Sequence, residues 1–300
     1  SLLDIPVSDI MKCYQLAEQS GFDYGVMSES AGRDSMVILT HAASQTRSLK
    51  LGTNIVPIYV RSPMQMAASA LTLTEISSGR FKILGLGTSY RQRVEAWFGT
   101  SFQRPAARTK EYVEVLRTLL AGGSVNYQGE FYNIKDYPPL TDKPLNIPIY
   151  LGVTGPKMRH LTGEVADGVI LNSLSTPQFV RESIELIEQG ARAAGRRLSD
   201  IEIGSSIVFS ASHDRRQALE AAKRGMMFYI IYPEFDPIVR TTKFMSEIQA
   251  LREAYWSGNV ARAYEILTEP IVDAFVVFGT PSECRQKLDE YRAAGLELMV

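Results

Sequence analysis

The feature that most constrains this chain is a regular alternation of short apolar runs with amphipathic helical stretches along nearly its whole length. Runs that read as buried parallel strands lie at Tyr24–Ser28, Leu51–Val56, Phe81–Leu86, Ile149–Val153, Gly168–Asn172, Glu202–Phe209 and Glu297–Val300. They are nearly continuous in apolar character, as strands covered on both faces are. Helical patterns fall between them at Val7–Ser20, Ser35–Thr46, Pro63–Ile76, Ala106–Leu120, Pro156–Ala166, Pro177–Ala194 and Pro281–Ala294. The clearest is Pro177–Ala194. There Val180, Ile184, Ile187, Ala191 and Ala194 recur at intervals of 4, 3, 4 and 3, one apolar stripe turned toward a sheet.

The punctuation agrees. Ser62–Pro63, Thr176–Pro177 and Thr280–Pro281 each put a capping residue before a proline at the first helical position. Thr280 with Glu283 fits a capping box. Gly21, Gly195 and Gly295 follow helices where a left-handed backbone is wanted. Two segments interrupt the alternation. Gly122–Pro148 holds two short extended pieces around Gly129 and reads as a hairpin insertion. Met226–Pro270 reads as a mostly helical insertion that shapes the rim of a site.

Alternating β and α units allow a closed barrel or an open doubly wound sheet. No G-x-G-x-x-G opens a helix, so a dinucleotide site is not supported. Seven strands plus one ahead of residue 1 make eight, and an open seven-stranded sheet would leave two unpaired edges. The expected fold is therefore a single-domain (β/α)8 TIM barrel over residues 1–300, with a first strand and some C-terminal residues lying outside this sequence. Lys and Arg number 32 against 33 Asp and Glu, with no basic block, so nucleic acid is not an expected partner. No apolar run reaches the ~18 residues of a membrane span. The three histidines His41, His160 and His213 lack ligand spacing, so no metal site is expected. Cys13 and Cys284 read as two buried small hydrophobes.

Three stretches, Leu51–Pro63, Ile76–Thr88 and Ile149–Pro156 continuing through Gly163–Asn172, together resemble the bacterial-luciferase-like monooxygenase superfamily. Tyr59–Pro63 and Gly279–Glu283 are similar to its branch that uses the deazaflavin coenzyme F420, particularly methylenetetrahydromethanopterin reductases. The resemblance runs in order through nearly the whole chain. Pro57 by itself requires the second of these strands to end or bulge. The resemblance implies a bulge there with a cis non-prolyl peptide at Asn54–Ile55, backing the flavin ring, where an ordinary strand end is the plainer reading. Gly87 and Thr88 end a strand at the expected active face; a tight turn explains them as well. Val153, Thr154 and Gly155 lead into a helix N-terminus, which is either an anion site or simply a capped start. The resemblance assigns them the coenzyme phosphate, and brings Asn172 to the cofactor region.

The chain also departs from the pattern. Many F420 enzymes of the superfamily carry Asp-His at the end of the second strand, where Glu29 and Ser30 stand here. Glu29 and Tyr90 are the candidates for an acid–base role. The plainer alternatives are a cofactor hydrogen bond for Glu29 and a rim aromatic for Tyr90. Arg61, Arg91 and Arg93 are candidates for an anionic tail or ordinary surface charges, and Tyr59, Trp97 and Phe98 for an apolar wall or packing. The leading expectation is a cytoplasmic, homodimeric oxidoreductase that moves hydride between reduced coenzyme F420 and a small-molecule substrate. The alternatives are an FMN-dependent monooxygenase using O₂ and a non-catalytic relative or partner subunit.

Overall fold

A computed structural model describes residues 5–29 and 32–300. They group into two compact units, Ser1–Gly152 with Val165–Gly168, and Val153–Glu164 with Val169–Val300.

In the first unit the order is α1 (Val7–Gln19), β1 (Tyr24–Met27), α2 (Ser35–Gln45), β2 (Lys50–Pro57), α3 (Pro63–Ile76), β3 (Phe81–Gly87), α4 (Arg91–Ala96), α5 (Pro105–Leu120), β4 (Val125–Gln128), β5 (Asn133–Tyr137) and β6 (Ile149–Val153). Strands β1, β2, β3 and β6 lie side by side in that order and parallel. Leu51, Val56, Ile83, Leu84, Leu86, Ile149 and Leu151 are fully buried, which is why these runs lack polar alternation. The helices start where the sequence says: Ser62 accepts from the Gln65 N–H at the head of α3, and Asp34 accepts from the Met36 and Val37 N–H groups at the head of α2. Strands β4 and β5 form the expected antiparallel hairpin. The Glu111 carboxylate on α5 accepts the N–H groups of Glu130, Phe131 and Tyr132 at 2.8, 2.8 and 3.1 Å and ties the turn down. One expectation fails: Cys13 is exposed, because the buried face of α1 is Ile10, Met11 and Tyr14. The short helix α4 was not foreseen.

The second unit continues with α6 (Pro156–Val165), β7 (Gly168–Leu171), α7 (Pro177–Ala193), β8 (Glu202–Ser205), β9 (Phe209–Ala211), α8 (Arg215–Ile230), α9 (Asp236–Val239), α10 (Met245–Trp256), α11 (Val260–Ile266), α12 (Glu269–Phe275), β10 (Val277–Gly279), α13 (Pro281–Ala293) and β11 (Leu298–Met299). Strands β7, β8 and β11 are neighbours in that order. The caps at Thr176 and Thr280 form as expected, the latter with its capping box to Glu283. Gly195 and Gly295 take φ of 69° and 98°. The run Glu202–Phe209 is two strands rather than one. The Ile207 N–H still donates to Val300 O beyond the end of β8, and Val208 O then accepts from the Val277 N–H, starting a separate parallel pair of β9 with β10. Helix α8 was missed upstream of Met226; Asp214 caps it by accepting from the Arg216 and Gln217 N–H groups. On α7 the apolar stripe ends at Ala191, and Ala194 at the cap is exposed.

Helices α6 and α7 cross closely. A Cβ on Gly163 would lie 2.0 Å from the Ile187 carbonyl oxygen, and one on Gly190 1.9 Å from that of His160. Only glycine permits backbones to approach like this.

Candidate active site

The C-terminal end of β2 carries the first set of predicted residues. Thr53 pairs with Leu84 and Val56 with Leu86, so Asn54 and Ile55 bulge opposite Gly85 alone. The Asn54–Ile55 peptide bond is cis. Both carbonyls of the bulge are held by the end of β1: Ser28 Oγ donates to Asn54 O at 2.5 Å, and the Glu29 N–H donates to Ile55 O at 3.1 Å. The Ile55 side chain lies on bare backbone. Cβ atoms on Gly87 and Gly152 would fall 2.7 and 2.8 Å from it, and one on Gly85 would fall 2.1 Å from Thr53 O. The glycines of β3 and β6 thus clear a flat seat, and the half-buried Ile55 fills it. Its outer face is an apolar platform suited to a planar ring.

The Glu29 carboxylate has a neighbour on each oxygen. Oε2 accepts from Ser35 N–H at 2.7 Å and from Ser35 Oγ at 2.5 Å, and Oε1 lies 3.6 Å from Arg61 Nη2. Arg61 also pairs with Asp34 at 2.7 Å. This network, linking β1 to the heads of α2 and α3, was not visible in the sequence. It removes Arg61 from the solvated charges. Ser30, the matching position to the family histidine, lies outside the described residues.

Thr88 and Ser89 follow β3, and Tyr90 caps α4 beneath the Arg93 guanidinium, 5.3 Å from its ring. Arg93 also lies over Trp97, which is exposed, and Arg91 pairs with Glu95. Tyr59 stands in an aromatic cluster instead, 5.8 Å from Phe102 and under Arg108 at 4.8 Å. Burial raises its phenol pKa, and the Arg108 charge opposes that.

The second set of residues begins α6. Val153 is buried, and Thr154, Gly155 and Pro156 turn the chain into the helix. Asn172 Nδ2 donates to Thr154 Oγ at 3.1 Å while Asn172 Oδ1 accepts the Ser173 N–H at 2.9 Å. Because Thr154 Oγ is an acceptor in that bond, its own hydrogen is free to point outward. A Cβ on Gly155 would meet nothing within 4 Å. An open loop with a free hydroxyl donor, at a helix N-terminus, is chemically matched to a phosphate.

The profile of the luciferase-like monooxygenase family matches residues 3–298. The chain belongs to this family. Among luciferase-like relatives, the 5,10-methylenetetrahydromethanopterin reductase of Methanolobus tindarius is 32% identical, over 98% of this chain and 90% of the relative. That of Archaeoglobus fulgidus is 33% identical, over 95% and 86%. The solved coenzyme F420 dependent tetrahydromethanopterin reductase from Methanopyrus kandleri superposes with a TM-score of 0.88, at 28% identity, over 99% of this chain and 90% of that one. The mixed α/β fold is thus that of luciferase-like TIM-barrel enzymes. Among the described residues no helix is long and apolar enough to cross a membrane.

Proposed function

We infer that this luciferase-like chain is a coenzyme F420-dependent oxidoreductase that passes hydride between the deazaflavin and a small organic substrate. The observation that carries this reading is the end-to-end similarity to methylenetetrahydromethanopterin reductases, whose solved Methanopyrus kandleri representative is F420 dependent. When bound, the deazaflavin supplies hydride exchange at its ring carbon C5. The protein's part is then positioning and exclusion of water.

Residues Asn54, Ile55, Gly87 and Thr88 would hold the deazaflavin ring. Val153, Thr154 and Gly155 would hold the phosphate, with Asn172 donating to the Thr154 hydroxyl oxygen. Glu29, whose side chain accepts two donors from Ser35 and whose N–H donates to Ile55 O, fixes the surroundings of the bulge. In this reading Tyr90 and Glu29 are the groups that serve proton exchange with substrate. The same reading makes the chain a cytoplasmic homodimer, and treats the β4–β5 hairpin and the helices after Met226 as insertions in an eight-stranded barrel.

The test is a parallel spectroscopic titration of the purified chain with F420 and with FMN. Saturable binding of F420 and not of FMN is expected, followed by oxidation of reduced F420 when a substrate is found. Preferential FMN binding with O₂ consumption makes the chain a monooxygenase, and binding of neither makes it a non-catalytic relative.

A further inference from the structure

Arg159 sits in the first turn of α6, where its N–H donates to Gly155 O at 3.0 Å. Its side chain is only 6% exposed. The guanidinium lies 4.6 Å from the centre of the Phe179 ring, and Nη1 donates to Ser183 Oγ at 3.2 Å. Ser183 spends its own hydrogen on Phe179 O at 2.6 Å. Nε is buried without an acceptor. No carboxylate pairs with this guanidinium among the described residues, and Glu182 is the one acidic group whose charge reaches it. Burial pulls its pKa down from the ordinary arginine range, the direction expected of a cation without a counter-ion. An unpaired buried charge is a liability that an apolar side chain of the same shape removes. The fully buried Phe179 ring is an apolar neighbour for such a replacement.

The position of this charge gives it a use. It stands four residues into α6, roughly 6 Å along the axis from the helix start at ~1.5 Å per residue. At the effective dielectric of about 20 that describes protein sites, a unit charge still acts over a backbone separation of that order. We propose that Arg159 is a positioning residue whose buried charge supplies the standing positive potential at the Thr154–Gly155 loop, selecting the phosphate-bearing form of the deazaflavin. This rests on the reading above that the loop receives the cofactor phosphate. The anion and the guanidinium need not touch. Binding of the anion adds a negative charge to a guanidinium that pairs with no carboxylate among the described residues.

The test uses the whole chain and two ligands, coenzyme F420 and the same deazaflavin without its phosphate tail, titrated by fluorescence. The wild type is expected to prefer the phosphate-bearing ligand. In Arg159→Met that preference falls roughly tenfold, as expected for removal of one partly shielded charge, while affinity for the phosphate-free ligand stays within about twofold. The melting temperature of the ligand-free variant is unchanged or raised, because a buried cation has been replaced by an apolar chain. Arg159→Lys keeps most of the preference. Equal weakening of both ligands, or an unaltered preference in Arg159→Met, overturns the proposal. If the wild type itself shows no preference, the phosphate reading of the loop fails instead, a result separable from the variant's.

Discussion

At the scale of single residues, the glycines under Ile55 make opposite predictions. A Cβ on Gly85 would collide with a backbone atom, Thr53 O at 2.1 Å, whereas one on Gly87 would meet the end of a flexible side chain, Ile55 Cδ1 at 2.7 Å. Gly85→Ala is therefore expected to destabilise the fold by about 3 kcal/mol or more in denaturant unfolding, since overpacking costs ~1–3 kcal/mol and here nothing can rotate away. Gly87→Ala is expected to fold with a loss of about 1 kcal/mol but to tilt Ile55 and weaken F420 binding. Equal stability losses in the two variants would count against the platform. Tyr90→Phe keeps the ring beneath Arg93 and removes the hydroxyl. Its kcat is expected to fall about a hundredfold with KM little changed, the usual size of a lost proton donor; an unchanged kcat removes Tyr90 from the chemistry. Some of this site was legible in the sequence. Pro57 marked the end of β2, and the resemblance located the bulge and its cis bond. The Ser28, Asp34, Ser35 and Arg61 clamp was not legible, because its partners are 6 to 27 positions apart and nothing local marks them. Arg159 was hidden for a similar reason: in sequence it is one more arginine on a helix, and only the α6–α7 crossing buries it.

At the scale of elements, carboxylates rather than apolar contacts fasten several of the joints. Glu18, at the end of α1, accepts the N–H groups of Arg47, Ser48 and Leu49 at 2.8, 2.6 and 2.9 Å, and so pins α1 to the turn before β2. These bonds, led by those from Ser48 and Leu49, lower its pKa from the ordinary 4.5 to about 2. A group with a depressed folded-state pKa contributes stability that is present above 4.5 and lost as pH falls toward 2. Glu18→Gln is expected to lower stability by about 1–2 kcal/mol at pH 7 and to flatten the pH dependence of unfolding across that acidic window. A variant that keeps the wild-type acid limb would show the clamp to be inert. Glu111 does the same for the hairpin, and Glu111→Ala should free the amides of Glu130, Phe131 and Tyr132 to exchange with solvent while α5 stays protected. The elements themselves were largely readable, since most main strands are predominantly buried runs and the caps at Ser62, Thr176 and Thr280 are local signals. The misses have a common origin. Strand β10 is three residues long, and β9 is continuous in apolar character with β8; only tertiary pairing separates them.

At the scale of the whole molecule, the balance of 32 basic and 33 acidic residues leaves a net charge of −1. A chain so balanced has no global field with which to draw in an anionic cofactor. Affinity for a phosphate must then come from short-range sources: the α6 N-terminus, the Thr154 hydroxyl held by Asn172, and the buried charge of Arg159. Short-range and long-range electrostatics respond differently to salt. The Debye length falls from about 30 Å at 0.01 M to about 8 Å at 0.15 M ionic strength, which removes steering but leaves buried interactions largely intact. The association rate of F420 in stopped-flow fluorescence is therefore expected to change by less than about threefold across that range, with the phosphate preference preserved. A tenfold or larger drop in the rate would mean that surface arginines, such as the exposed Arg91, gather the anion from solution, and that the local account of phosphate recognition is incomplete.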